Sequence, residues 1–167
     1  TRPTNLATIF EVVVTATQQY DQWTATLNIG AGDSDNNATW ALKYVGRDPN
    51  SLTGANATMT TNSIYWNSSD STVASIFNTA FGVGVTVTHV LTLTDGTAAA
   101  DFASANVITY TITLNGRKRS DLTMVTSNLT TNPTLSQTQY ATPQLNGTFS
   151  IDLLGVVIPF NVCDDYW

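Results

Sequence analysis

The sequence predicts an all-β protein, a β-sandwich of immunoglobulin-like or jelly-roll kind. Three observations carry that expectation. Apolar residues alternate with threonine and other polar residues at a period of two in roughly eight to ten segments, as half-buried strands require. Clusters of glycine, asparagine, aspartate and proline punctuate those segments about every 10 to 20 residues. Helical periodicity is confined to one short stretch, so strands must supply the layers of the fold.

Composition bounds the rest. The 167 residues suit one domain, and 42% hydrophobic content supplies one sizeable core. Only 11% of residues are charged, less than half of the about 25% usual in soluble proteins, so Thr, Ser and Asn carry the polarity. A net charge of −6, a pI near 4.3 and six Lys and Arg exclude a phosphate-binding face for nucleic acid and a polybasic membrane patch. No apolar run approaches the about 18 residues of a membrane-spanning helix, and no basic-then-apolar leader precedes the strands, as expected of the mature form of an exported chain.

The first element is residues 6–17, an apolar strand with no turn residue inside it. One face carries Thr8, Phe10, Val12, Val14 and Ala16, and the other Ala7, Ile9, Glu11, Val13 and Thr15. Polar residues 1–5 precede it and the polar linker 18–22 follows, which divides the chain into a terminal strand and linker start (1–19) and a sandwich domain (20–167). Such a strand needs a sheet to join. It either hairpins onto its own domain or completes the sheet of another copy.

Residues 23–29 alternate Trp23, Ala25, Leu27 and Ile29 inward and stop at Gly30-Ala31-Gly32. Trp40, Leu42 and Tyr44 define the next strand, ended by Gly46 and the turn 48–51. Residues 57–66 read as one Thr-rich strand, and residues 71–81 as a short helix capped by Asp70 or Ser71. Residues 83–94 place Val85, Val87, His89 and Leu91 on one face and end at Asp95-Gly96. Ile108, Tyr110, Ile112 and Leu114 follow, and Asn115-Gly116 signals a tight hairpin into Leu122 and Met124. Residues 127–143 read as irregular or edge chain, and residues 148–154 and 156–162 as the last strands, with Pro159 at an edge.

Catalytic chemistry finds few carriers. His89 is the single histidine, and its phase favours a satisfied core imidazole over a base or metal ligand, so serine triads, cysteine-histidine dyads and histidine metal clusters are all hard to assemble. Asp33-Ser34-Asp35 begins like a calcium loop, but Ala38 and Tyr44 stand where that loop needs glycine and glutamate. Cys163 is the single cysteine, a buried thiol or an intermolecular link. Asn37, Asn56, Asn67, Asn128 and Asn146 each open an Asn-X-Ser/Thr tripeptide, so N-linked glycans are expected and no other cofactor. Exposed aromatics could instead stack sugars; Trp23 and Trp40 fall in phase with the core, which leaves Tyr65-Trp66 and the terminal Tyr166-Trp167.

The terminal strand, the five tripeptides and the Thr/Asn/Ser-rich, Lys-poor composition together resemble the N-glycosylated thread pilins of archaea, donor-strand-linked filaments similar in fold to type I fimbrial subunits. The resemblance implies a pilin-like sandwich whose residues Thr8, Phe10, Val12, Val14 and Ala16 plug a groove in the next identical subunit. It implies an extracellular, head-to-tail homopolymer for adhesion or biofilm formation, aimed at a cell or abiotic surface, with no enzymatic activity. The alternative is a secreted, lectin-like carbohydrate-binding sandwich.

Overall fold

A computed structural model describes residues 19–33, 37–47, 56–81, 84–115, 121–141, 147–153 and 156–162. The donor-strand residues Thr8, Phe10, Val12, Val14 and Ala16 lie outside them, as do Asn146 and Cys163. The chain is mostly β-strand in antiparallel sheets, with one short helix.

In chain order the elements are β1 (Asp21–Asn28), β2 (Thr39–Arg47), β3 (Asn56–Thr60), β4 (Ile64–Tyr65), α1 (Asp70–Phe81), β5 (Val85–Thr92), β6 (Val107–Leu114), β7 (Asp121–Ser127), β8 (Thr134–Gln139), β9 (Gly147–Leu153) and β10 (Val156–Val162). A first sheet has the order β5-β6-β1-β8. In a second, β2 pairs with β7 along one edge; β3 and β4 share the other, because Lys43 to Val45 and Trp40 face partners on both sides. The last two strands form a hairpin with each other, Phe149 opposite Phe160 and Ile151 opposite Ile158.

The alternation expected from sequence sets the inner faces. Trp23, Ala25 and Leu27 of β1, Val85 and Val87 of β5, and Ile108, Tyr110, Ile112 and Leu114 of β6 meet Trp40, Leu42 and Tyr44 of β2, with Ile64 and Leu122, in one core cluster. Threonines take the outer positions: Thr24 lies opposite Thr111, and Thr111 opposite Thr88. The helix presents Val73, Phe77 and Phe81, four residues apart, to the same core. Its start is set by Ser69, whose Oγ accepts the Thr72 N–H and whose carbonyl accepts the Val73 N–H, and Asp70 in the first turn complements the helix dipole.

Two connections differ from expectation. The Asn115-Gly116 signal does not make a hairpin: β6 lies in the first sheet, whereas β7 pairs with β2 in the second. The expected strand 57–66 is two strands, because Thr61 turns inward between them. Its hydroxyl accepts the Leu42 N–H at 3.1 Å, and its own N–H donates to the Leu42 carbonyl at 2.9 Å.

One glycine is held by packing. The ring of Tyr44 folds over Gly46 two residues along β2 and packs at a tilt against Phe81 at 5.2 Å, so a Cβ on Gly46 would overlap the phenol. Gly46→Ala is expected to lower unfolding free energy by about 1–3 kcal/mol, as overpacking does, and urea denaturation reads it. A loss below about 0.5 kcal/mol would mean that Tyr44 moves aside at no cost.

Candidate functional site

The strand directions give the body two ends. At one, β1 starts, and Asp21 accepts hydrogen bonds from the Gln137 amide at 3.0 Å and the Ala141 N–H at 2.7 Å, while Gln139 donates to the Tyr20 carbonyl. The segment toward residues 1–18 and the segment after Ala141 therefore both leave from this end. At the other end the chain crosses between sheets twice, through residues 29–38 and 128–133.

Asp33 ties those crossings together. Its Oδ2 accepts the Gly30 N–H, and its Oδ1 accepts the Thr130 N–H at 2.7 Å and the Thr130 hydroxyl at 2.8 Å, a contact 97 positions apart in sequence. Burial pushes this carboxyl up, but the hydrogen bonds from Gly30 and Thr130 outweigh it and hold Asp33 below the usual carboxylate value. In place of a calcium ligand, Asp33 is a buried staple.

Three candidate glycan acceptors surround Thr39 at the same end. Asn37 precedes it by two residues in an exposed turn with φ 49°. Asn67 follows Tyr65 by two residues, and Tyr65 is the register partner of Thr39. Asn128 accepts the Thr39 N–H on its side-chain oxygen and gives its own N–H to the Thr39 carbonyl at 3.1 Å. Asn56 is the first residue of β3, paired with Arg47 at the end where the chain segments leave.

A seam runs along the side of the body. Among the described residues, β8 pairs only with β1 and β7 only with β2, and the two strands approach each other across the sheets. Leu135 and Met124 pack against the core from this side, half-buried. Gln137 and Gln139 share the inward phase of β8 with Leu135, so the seam's inner face is partly polar. Trp23 lies opposite Gln137, and its buried indole N–H has no hydrogen-bond partner among the described residues.

The aromatics sort differently from expectation in one case. Trp23 and Trp40 are core residues, but Trp66 is buried too, at 6% exposure, whereas Tyr65 is exposed at 55% and, outside the expected set, Tyr140 at 72%. His89 is half-buried, its Nδ1 is 2.6 Å from Asp70 Oδ1, and its ring stacks on Phe102 at 4.8 Å. Beside it the Tyr110 hydroxyl donates to the carbonyls of Ser68 and Trp66; burial, and secondarily the Asp70 carboxylate, push that phenol above its ordinary range, so it remains a donor. Among the described residues, no three His, Cys, Asp or Glu side chains form a metal-binding group, and no helix is long and apolar enough to cross a membrane.

No protein-family model, curated protein or solved structure matches the chain.

Proposed function

We propose that the chain is the structural subunit of an extracellular filament, a pilin-like sandwich that polymerises head to tail when residues 6–17 of one copy enter the seam between β7 and β8 of the next. The observation that carries this reading is a match of needs. An apolar twelve-residue segment requires a sheet edge, and among the described residues the body presents two edges bonded on one side only, over a half-buried floor. An inserted strand would hydrogen-bond such an edge, cover Leu135 and Met124, and bring a carbonyl or hydroxyl toward the Trp23 indole. One donor and one acceptor per copy is a heterologous contact, which extends as a fibre instead of closing as a dimer.

Deleting residues 1–19 tests it. The shortened chain should stay monomeric by light scattering and form no filaments under negative stain, while full-length material should show threads. A synthetic peptide of residues 6–17 should bind the shortened chain and raise its melting temperature. Full-length chain that remains a solitary particle at high concentration would defeat the reading and leave a self-complemented domain.

The exposed Tyr65 favours a second reading, a lectin-like module that stacks a free sugar on that ring. Saturable glycan-array binding abolished by Tyr65→Ala would support it.

A further inference from the structure

Of the five Asn-X-Ser/Thr tripeptides, only the one at Asn67 has an aromatic residue two positions earlier. Tyr65 stands there, whereas Asp35, Gly54, Thr126 and Gln144 precede the other four. Tyr65 and Asn67 also share one reverse turn: the Ser68 N–H donates to the Tyr65 carbonyl at 3.1 Å, which places Trp66 and Asn67 at the turn's centre. A turn of this kind holds its first and fourth Cα atoms within about 7 Å, so the chain folds back between Tyr65 and Ser68 and keeps Asn67, at the bend, within a sugar's reach of Tyr65.

The turn is pinned from inside. Trp66 is buried, its N–H donates to the Ala38 carbonyl at 3.0 Å, and the Tyr110 hydroxyl holds the Ser68 carbonyl at 2.7 Å and the Trp66 carbonyl at 3.2 Å. With Ile64 and Trp66 directed into the core, alternation sends Tyr65 outward, 55% exposed. Its ring is therefore an aromatic platform that a ligand need not organise. Asn67 is exposed, and its carboxamide makes no hydrogen bond among the described residues. The Asn128 carboxamide differs, being held by the Thr39 backbone N–H.

We propose that Asn67 carries an N-linked glycan whose first pyranose lays its apolar C–H face on the Tyr65 ring, so that the sugar becomes part of the fold's packing. The idea rests on the extracellular character of the reading above, but not on polymerisation. The donor is a lipid-phosphate-linked oligosaccharide, used by a transferase of the producing cell. The Nδ2 of Asn67 attacks the sugar C1 and the N–C1 bond forms. The C1–O bond to phosphate breaks, the lipid phosphate leaves with the electron pair, and Nδ2 gives one proton to a base. Nothing is oxidised or reduced.

Order of events follows from Ser69. Its hydroxyl completes the Asn67 tripeptide, yet in the folded chain the same Oγ accepts the Thr72 N–H and contacts the Thr72 hydroxyl at 2.9 Å. Transfer before the first turn of α1 forms would find that hydroxyl uncommitted. The glycan is then already in place when the turn at 65–68 closes and brings the ring beneath it.

The test is a four-member set made in an N-glycosylating host: the full chain, Tyr65→Ala, Asn67→Gln and the double variant. Mass spectrometry of the peptide spanning Asn67 should show the glycan in the first two; an unmodified Asn67 overturns the proposal. Asn67→Gln should lower the melting temperature by about 2–4 °C when Tyr65 is present and leave it nearly unchanged in the Tyr65→Ala background. Equal drops in both backgrounds overturn the stacking. The same set from a host without the transferase should show no coupling, and coupling there would assign the effect to the Asn67 side chain and overturn the glycan's part. A glycosylated, coupled Asn67 on a chain that never polymerises would defeat only the filament reading. Filaments that depend on residues 1–19 but carry a bare Asn67 would defeat only this one.

Discussion

Replacing Phe77 with alanine is expected to cost about 3–5 kcal/mol of unfolding free energy, the range for emptying a buried aromatic site. Phe77 is fully buried in the middle of α1, edge-on to Trp40 at 6.4 Å and stacked on Phe81 at 5.4 Å. Those rings in turn meet Tyr110 and Tyr44, so the void would open among rigid groups that have little freedom to collapse into it. The helix touches both β5 and β3, the outer strands of the two sheets on that side, so weakening its seat also uncovers the core between them. Ser75→Ala, exposed on the same helix, should change stability by less than about 0.5 kcal/mol. Urea denaturation of both variants with an unchanged slope is the measurement; a Phe77→Ala loss below about 1 kcal/mol would mean that the helix does not close the core.

The parts of the fold legible in the sequence are those where one face alone is apolar. Trp23, Ala25 and Leu27, or Ile108, Tyr110, Ile112 and Leu114, announce strand and inward side together. Val73, Phe77 and Phe81 do the same for the helix. Legibility fails where a polar side chain does structural work. Strand β8 turns Leu135, Gln137 and Gln139 inward, which no apolar alternation reveals. Thr61 replaces a ladder contact with its hydroxyl and so interrupts what reads as one strand. The Asn115-Gly116 signal describes a local reversal and holds no information on which sheet receives the next strand. The candidate glycan acceptors follow the same division. The five asparagines can be read directly, but the gathering of Asn37, Asn67 and Asn128 around Thr39 depends on pairings of β2 with β4 and on a crossing far along the chain. Tyr65 and Trp66 are adjacent aromatics in the sequence, and it is the inward Ile64 that sends the first outward and the second into the core.

The second large effect belongs to Asp33. Asp33→Ala is expected to cost about 3 kcal/mol or more, because three donors, the Gly30 N–H, the Thr130 N–H and the Thr130 hydroxyl, lose a charged acceptor in a site where Asp33 itself is 2% exposed. Asp33→Asn should cost less, since one amide oxygen can still serve Thr130 while its NH2 group faces the Gly30 N–H. Acid separates the charge from the shape. The folded-state carboxyl is held below its ordinary value of 3.8, so its contribution is complete above that value in the unfolded chain and is lost as pH falls through the lowered folded value. The stability difference between the native chain and Asp33→Asn should therefore be flat from neutral pH down to about 4 and shrink below it. Asp95 and Asp101 are also held low, by Thr97 and Ser104 respectively, but both are present in each protein and cancel in the difference. A difference that shrinks already between pH 7 and about 5 would assign the effect to another group. The expected profile bears on the filament proposed above: the staple joining the two sheet crossings, beside Asn37 and Asn128, would hold until the surroundings are acidic enough to protonate an ordinary carboxylate and beyond. A surface with only 11% charged residues changes little over the same interval, so the charge balance of the exterior and the Asp33 staple respond to acid separately.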